Sequence, residues 1–437
     1  MTLAPPAYWQ PEAECLDRDE LGQLQLERLQ AMLSRVFRNV PFYRKRFDEA
    51  GLDPDELRSL DDLKALPFTT KEDLREAYPY GLFAVPLRDV VRLHASGGTG
   101  SAAVVMGYTR NDLKTWANLN ARTLVASGLT KDDVVQITFD YGLLTGAFGV
   151  HQGAERLGAA VIPMSSGNTK RQIKIMQDYK ATALVSTPSY ALHLVDALME
   201  AGVNTSALSL RRALVGGEPW SEEMRKRIEE QLHVTATDNY SVSEVMGPGI
   251  AGECLERDGL HVNEDHFLVE VVDPRTHEPV NPGVPGELVV TTLTKEAFPL
   301  VRYRTRDLTQ LVAQPCRCGR TSVRLRRIVA RSDDMLKVKS VNVFPSQVEA
   351  VLRELLGSEP LFQIVVERRH ALDEATVHVA MSQGAFFDEM KKQTELRDLI
   401  EKRLASEIGV TFAVKLVARH TLESAADRRR VVDLRKL

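Results

Sequence analysis

Between about Leu21 and Val40 apolar residues (Leu26, Leu29, Met32, Leu33, Val36, Phe37) recur at three- and four-residue steps, so the chain opens on an amphipathic helix that Pro41 interrupts. The run Leu66-Pro-Phe-Thr-Thr-Lys-Glu-Asp-Leu74 reads as a loop entering another helix, with Thr70 as N-cap three residues before Asp73. From there to about residue 310, short β-rich runs alternate with helical stretches. Val134–Phe139, Ala159–Pro163, Ala183–Ser186, Ala213–Val215 and Val234–Asp238 are the predicted strands, an alternation that marks a wound, largely parallel α/β core. Glu287–Thr292 and its neighbours are more purely β and predict a small β unit closing the large domain.

The pattern changes after Arg331-Ser-Asp-Asp334. A hairpin candidate at Met335–Phe344 is followed by a helix from Pro345 to about Leu356 and strands at Leu361–Glu367 and Thr376–Ser382. A helix near Leu396–Ile408 and a strand at Phe412–Val417 complete a βαββαβ order, that of a split βαβ module. The expected fold class is therefore α/β: a large N-terminal wound domain with a small β unit (1–331) and a smaller, mobile α+β C-terminal domain (332–437).

A chain of 437 residues with 43% hydrophobic content can bury one large core and a second, smaller one. Lys+Arg 56 against Asp+Glu 60 leaves a formal charge of −4, which supplies no global field for nucleic acid or an anionic membrane. No apolar stretch reaches the roughly 20 residues of a membrane helix, and no basic leader precedes an apolar run. Four cysteines are too few for a disulfide framework, so the expected location is the reducing cytoplasm. Three of them carry a second message. Cys316-Arg-Cys318-Gly can present two thiolates to one ion, and Cys254 with His261 seven positions later would complete a tetrahedral Cys₃His zinc site. The alternative is three free thiols, with His261 satisfied by Glu264 or Asp265.

Six motifs stand in order along the chain: Tyr240-Ser-Val-Ser-Glu-Val-Met-Gly-Pro248, Gly259-Leu-His-Val-Asn-Glu-Asp-His-Phe267, Thr291-Thr-Leu-Thr-Lys-Glu-Ala297, Val301-Arg-Tyr-Arg-Thr-Arg-Asp307, Arg331-Ser-Asp-Asp-Met335 and Val341-Asn-Val-Phe-Pro-Ser-Gln347. On these the sequence resembles an acyl-adenylate-forming (AMP-binding) enzyme, specifically of the phenylacetate–CoA ligase family, from about residue 5 to the end. The resemblance implies two steps: a small, aromatic-type carboxylate and Mg-ATP give acyl-AMP and pyrophosphate, and the CoA thiol then displaces AMP. It implies that Glu244 lies near Mg²⁺, that Asp307 accepts the ribose hydroxyls and that Arg331 makes a second nucleotide contact. Gly216, Gly217, Glu218 and Pro219, with Asp238, Asn239, Tyr240 and Ser241, would form the adenine edges. Asp333 would be the hinge. Phe139, Tyr141 and Phe148 are candidates to line the acid tunnel, although an aromatic after a core strand is also simple packing. Related folds often self-associate, so a homodimer stays open. The Cys/His set occurs in some relatives and not in others, which implies a structural ion.

Two departures bear on activity. The phosphate loop, His94-Ala-Ser-Gly-Gly-Thr-Gly-Ser-Ala-Ala103, keeps Ser96, Gly98 and Thr99 as an anion nest but lacks the usual lysine and proline. The C-terminal signature Ala426-Asp427-Arg428-Arg429-Arg430-Val431-Val432-Asp433 places Asp427 where the family carries a catalytic lysine. A unit charge at about 4 Å is worth about 4 kcal/mol at an effective dielectric of about 20, and reversal up to about twice that, so adenylation by the family route is expected to be slow. Ser340, where relatives carry glycine, implies a narrower thiol tunnel. The leading expectation is an AMP-forming acid–CoA ligase. The alternative is a member that binds nucleotide or acyl-CoA without adenylation, or performs only the acyl-transfer half.

Overall fold

The computed structural model describes residues 7–96, 103–328, 330–333, 335–339, 341–356, 360–369, 372–381, 390–418, 421–422 and 430–435. A single turn, α1 (Pro11–Glu14), precedes the opening helix α2 (Arg18–Asn39). Pro41 ends one helix by starting the next: at the first position of α3 (Pro41–Ala50) its missing N–H costs nothing and its fixed φ is already helical. Thr70 caps α4 (Lys71–Glu76) as expected. Its Oγ1 accepts from the Asp73 N–H at 3.3 Å while Asp73 Oδ2 accepts from the Thr70 N–H at 2.7 Å, a reciprocal cap that fixes where Lys71 and Arg75 point.

The hairpin β1 (Arg92–Ser96) and β2 (Val104–Tyr108) leads into α5 (Arg110–Ala126) and the wound body. There β3 (Val134–Ile137), α6 (Gly146–Leu157), β4 (Ala160–Pro163), α7 (Thr169–Asp178), β5 (Ala183–Ser186), α8 (Pro188–Glu200), β6 (Arg212–Gly216), α9 (Glu222–Leu232) and β7 (Thr235–Tyr240) alternate. The strands lie side by side as β4, β3, β5, β6 and β7, all parallel. Such strands are covered on both faces and run largely apolar, as in β5, where Ala183, Leu184, Val185 and Ser186 are all buried. Strand order reverses around β3, so a crevice opens beyond the carboxyl ends of the strands.

The chain continues through β8 (Ala251–Glu253), β9 (Leu260–Val262), β10 (Phe267–Val272), β11 (Gly286–Thr292), β12 (Tyr303–Thr309), β13 (Leu311–Val312), β14 (Arg324–Leu325) and β15 (Ala330–Arg331). β8, β9, β14 and β13 extend the large sheet in antiparallel fashion, whereas β10, β11, β12 and β15 form a separate four-stranded sheet, the expected β unit.

Past β15 come the hairpin β16 (Leu336–Val338) and β17 (Val341–Val343), then α10 (Pro345–Leu356), β18 (Phe362–Arg369), β19 (Leu372–Met381), α11 (Met390–Ile408), β20 (Phe412–Ala418) and β21 (Val431–Asp433). The sheet order is β20-β19-β18-β21, with β21 a parallel edge strand beside β18 that the hydrophobic pattern does not announce. Val343, Leu352, Ile364, Val377, Ile400 and Phe412 belong to a core of this lobe's own.

Candidate active site

A cleft of about 860 Å³ lies at the ends of β3, β6 and β7, closed from the other side by the β16–β17 hairpin. Glycine at the end of β6 has a steric reason. A Cβ on Gly216 would stand 2.3 Å from the Asn239 carbonyl oxygen, and Gly217 turns the chain at φ +84°. The backbones of Gly216–Pro219 and Asp238–Ser241 therefore come together as the two edges of one slot. Tyr240 Oη donates to Asp307 Oδ2 at 2.6 Å. Arg331 pairs with Asp307 Oδ1 at 2.5 Å and donates from Nε and Nη2 to Asp333 at 2.8 and 3.0 Å. Asp307 and Arg331 face each other in the β12–β15 register, so backbone pairing sets this ladder. Burial works against the Arg331 charge, but Asp307 and Asp333 outweigh it and push the guanidinium pKa up. Arg302 and Arg304 have acids of their own, Glu270 and Glu287, each at 2.8 Å.

At the inner edge of the slot, Asp238 accepts an ionic contact from Arg327 at 3.3 Å while its backbone N–H donates to Glu253. Burial first, then Glu253, push its carboxyl up to about 7. Glu218 lines the same cleft and is likewise pushed up, by burial and then by Asp373.

Glu244 stands on another wall, nearly fully buried, with Lys71 Nζ 3.1 Å from Oε1. Burial alone would raise its pKa, but Lys71 overrides it and the carboxyl is held at about 2. Among the described residues neither Oε1 nor the Ser96 hydroxyl makes a directed hydrogen bond, although Ser96 lies close enough to help Lys71 hold the Glu244 carboxyl down. A buried carboxylate with spare lone pairs beside a serine hydroxyl is a donor set suited to a hard cation such as Mg²⁺. Gly98 and Thr99, together with Ser340 and Asp427, lie outside the described residues.

Sequence reasoning missed Lys337. It sits on β16 between buried Leu336 and Val338, so strand alternation turns it away from the lobe's core and into the cleft. Its carbonyl accepts from Arg435 Nη1 at 2.6 Å, and Arg435 is anchored on Asp373 at 2.7 Å. The amine lies in the field of Asp307, Arg331, Glu218 and Glu244; burial lowers its pKa and Asp307 opposes that shift. The signal was present in the sequence as a lysine at alternating register, six residues after Arg331.

Of the three aromatic candidates, Phe139 lines the cleft, with Asp140, Leu144, Thr145, Gly146 and Ala147. Tyr141 and Phe148 do not, and that expectation is corrected. β3 ends at Ile137, so the alternation that would put residues 139 and 141 on one face stops before it reaches them. Tyr141 instead bonds His151 at 3.0 Å and packs edge-on to Phe148, which packs on His94 at 5.4 Å between ring centres.

Away from the cleft, Cys254, His261, Cys316 and Cys318 converge, all buried, with ligand atoms within 4.8 Å of one another. Cys254 and Cys316 sulfurs are 3.8 Å apart, and Cys318 Sγ is 3.4 Å from His261 Nε2. Tetrahedral zinc with Zn–S of about 2.3 Å and Zn–N of about 2.05 Å asks for about 3.8 and about 3.6 Å. His261 Nδ1 meets the Ser322 hydroxyl at 3.2 Å, whereas Glu264 is taken by Arg18 and Asp265 by Arg122, so neither acid satisfies His261.

The family model for AMP-binding enzymes matches residues 86–294, and that for the AMP-binding enzyme C-terminal domain matches 340–435. The phenylacetate-coenzyme A ligase of Thermus thermophilus is 46% identical over 98% of this chain and 100% of its own length. That of Escherichia coli is 45% identical over 96% of each. The chain belongs to the phenylacetate–coenzyme A ligase family of AMP-binding enzymes. Among solved members of the wider fold, 2-hydroxyisobutyryl-CoA ligase with 2-HIB-AMP and CoA in its thioesterification state matches with a TM-score of 0.92, 30% identity, and coverage of 100% of this chain and 94% of that one. The same ligase in its postadenylation state with 2-HIB-AMP gives 0.73 over 99% of this chain and 94% of that one. The small lobe of this family member therefore sits on the large one as in the first of these two states. No helix among the described residues is long and apolar enough to cross a membrane.

Proposed function

We propose that this family member is an AMP-forming acid–coenzyme A ligase for a small, aromatic-class carboxylic acid. The carboxylate oxygen attacks the α-phosphorus of ATP and pyrophosphate leaves. The CoA sulfur then attacks the acyl carbon, and AMP departs with the carboxyl oxygen. The observation that carries this reading is the Tyr240–Asp307–Arg331–Asp333 ladder across the mouth of the cleft, in a chain whose lobes match those of a ligase holding acyl-AMP and CoA.

The roles follow from position. Gly216–Pro219 and Asp238–Ser241 hold the adenine, and Asp307 takes the ribose hydroxyls with Arg331 beside it. Glu244 and Ser96, with Gly98 and Thr99 of the preceding loop, serve the phosphates. Mg²⁺ bound there would neutralise phosphate charge. Phe139 and Leu144 contact the acid. Lys337 brings a positive charge to the reacting end when the lobes are set as here. The segment around Asp333 lets residues 332–437 rotate against 1–331 between the two steps. Cys254, His261, Cys316 and Cys318 hold a structural zinc ion that pins the β13–β14 loop to β8 and β9.

The test is acid-dependent ATP–pyrophosphate exchange over a panel of aromatic and short aliphatic acids, with wild type beside Asp427→Lys. Slow, acid-dependent exchange in the wild type, rising about tenfold or more in the variant, is expected. No exchange with any acid in either protein would overturn the adenylation step.

A further inference from the structure

Helix α4 touches the small lobe as well as Glu244. Lys71 and Arg75, one turn apart, both face the ring of Phe344, the residue joining β17 to α10. Lys71 Nζ is 4.9 Å and Arg75 Cζ 4.6 Å from its centre. The same Lys71 ammonium is 3.1 Å from Glu244 Oε1. Among the described residues Arg75 Nε has no hydrogen-bond partner and Nη1 meets Glu72 only at 3.8 Å, so the Phe344 ring is a principal neighbour of that guanidinium.

One ammonium therefore answers two groups, a buried carboxylate of the large lobe and an aromatic ring of the small one. An ionised carboxylate this deeply buried needs a cation beside it. A divalent ion on Glu244 and an ammonium 3.1 Å from the same oxygen compete for one place. The lobes, moreover, are set as in the relative's thioesterification state rather than its postadenylation state.

We propose that Lys71 replaces the metal ion at Glu244 once the first step is complete, and that the Phe344 contact makes closure of the small lobe depend on this replacement. Lys71 is thus a positioning residue. While a metal ion stays on Glu244, Lys71 is displaced, the Phe344 seat is incomplete, and the lobe does not dock for transfer to CoA. The order of the two steps is enforced by one side chain changing partners. This rests on the assignment of Glu244 given above, and its test needs no turnover.

The experiment is amide hydrogen exchange of segments 71–76 and 341–347 in the full chain with AMP bound, in EDTA and in excess Mg²⁺. Both segments are protected in EDTA, and Mg²⁺ raises their exchange about tenfold. In Lys71→Gln and Glu244→Gln the response to Mg²⁺ disappears. Phe344→Ala and Arg75→Ala keep ATP–pyrophosphate exchange within about threefold of wild type but lose about tenfold in thioester formation. Protection that ignores Mg²⁺ in the wild type, or a Phe344→Ala variant that loses both half-reactions equally, overturns the proposal. Absence of pyrophosphate exchange beside an intact Mg²⁺ response would instead remove the adenylation reading, overturn the ordering of two steps, and leave only the exchange of Lys71 for metal at Glu244 standing.

Discussion

Lys295 shows how much a single residue can hold against a fold's stability. The residue is 1% exposed, its amine has no hydrogen-bond partner among the described residues, and it lies 3.2 Å from the centre of the Tyr108 ring. Burial pulls its pKa down to about 7, with Asp112 opposing. The folded chain thus binds this proton less tightly than the unfolded chain, so stability is lost as pH falls from about 10.4 towards about 7. Lys295→Met should stabilise the protein by a few kcal/mol near pH 6.5, on the order of the linkage energy, with the gain shrinking towards pH 10. Denaturant unfolding of both proteins at the two ends of this range checks it, and equal destabilisation at both would refute it. At this scale the sequence was partly legible. Asp307, Glu244 and most of the slot residues line one cleft. Tyr141 and Phe148 do not reach the cleft because β3 stops short of them, and Lys337 went unnoticed because one lysine in a short hairpin has no motif of its own.

At the scale of elements, reading was easiest where local chemistry is self-sufficient. The Thr70 cap, the break of the opening helix at Pro41 and the parallel strands follow from nearest neighbours and burial alone. β21 was not legible, because three residues become a strand only beside β18. The Cys/His cluster lies between these cases: the pair Cys316 and Cys318 is local, but its completion by Cys254 and His261 depends on β14 pairing with β9. If zinc ties these strands together, protein purified without a His-tag should carry about one equivalent, and Cys316→Ser should lose the metal and unfold several degrees lower. Elemental analysis of both proteins decides this, and a wild-type content near zero excludes the ion.

On the scale of the whole molecule, the described core of the small lobe contains no residue before Leu336, so this lobe can turn as a unit without breaking the large one's packing. Contacts across the cleft among the described residues include Phe344 on Lys71 and Arg75, and Lys337 in the field of Asp307. Two lobes were legible from the change in hydrophobic pattern near Arg331. Their relative setting was not, since rotation about a hinge leaves no mark on periodicity. On the roles proposed above, Asp427 weighs on adenylation, and Lys337 with its neighbours serves the acyl-transfer half. Single-turnover transfer from preformed acyl-AMP to CoA, read as thioester and AMP by mass spectrometry, is therefore the most direct test. The wild type should form thioester at a rate that Lys337→Ala lowers about a hundredfold. Return of acyl-AMP unchanged, or hydrolysed to the free acid with no thioester, would contradict the account.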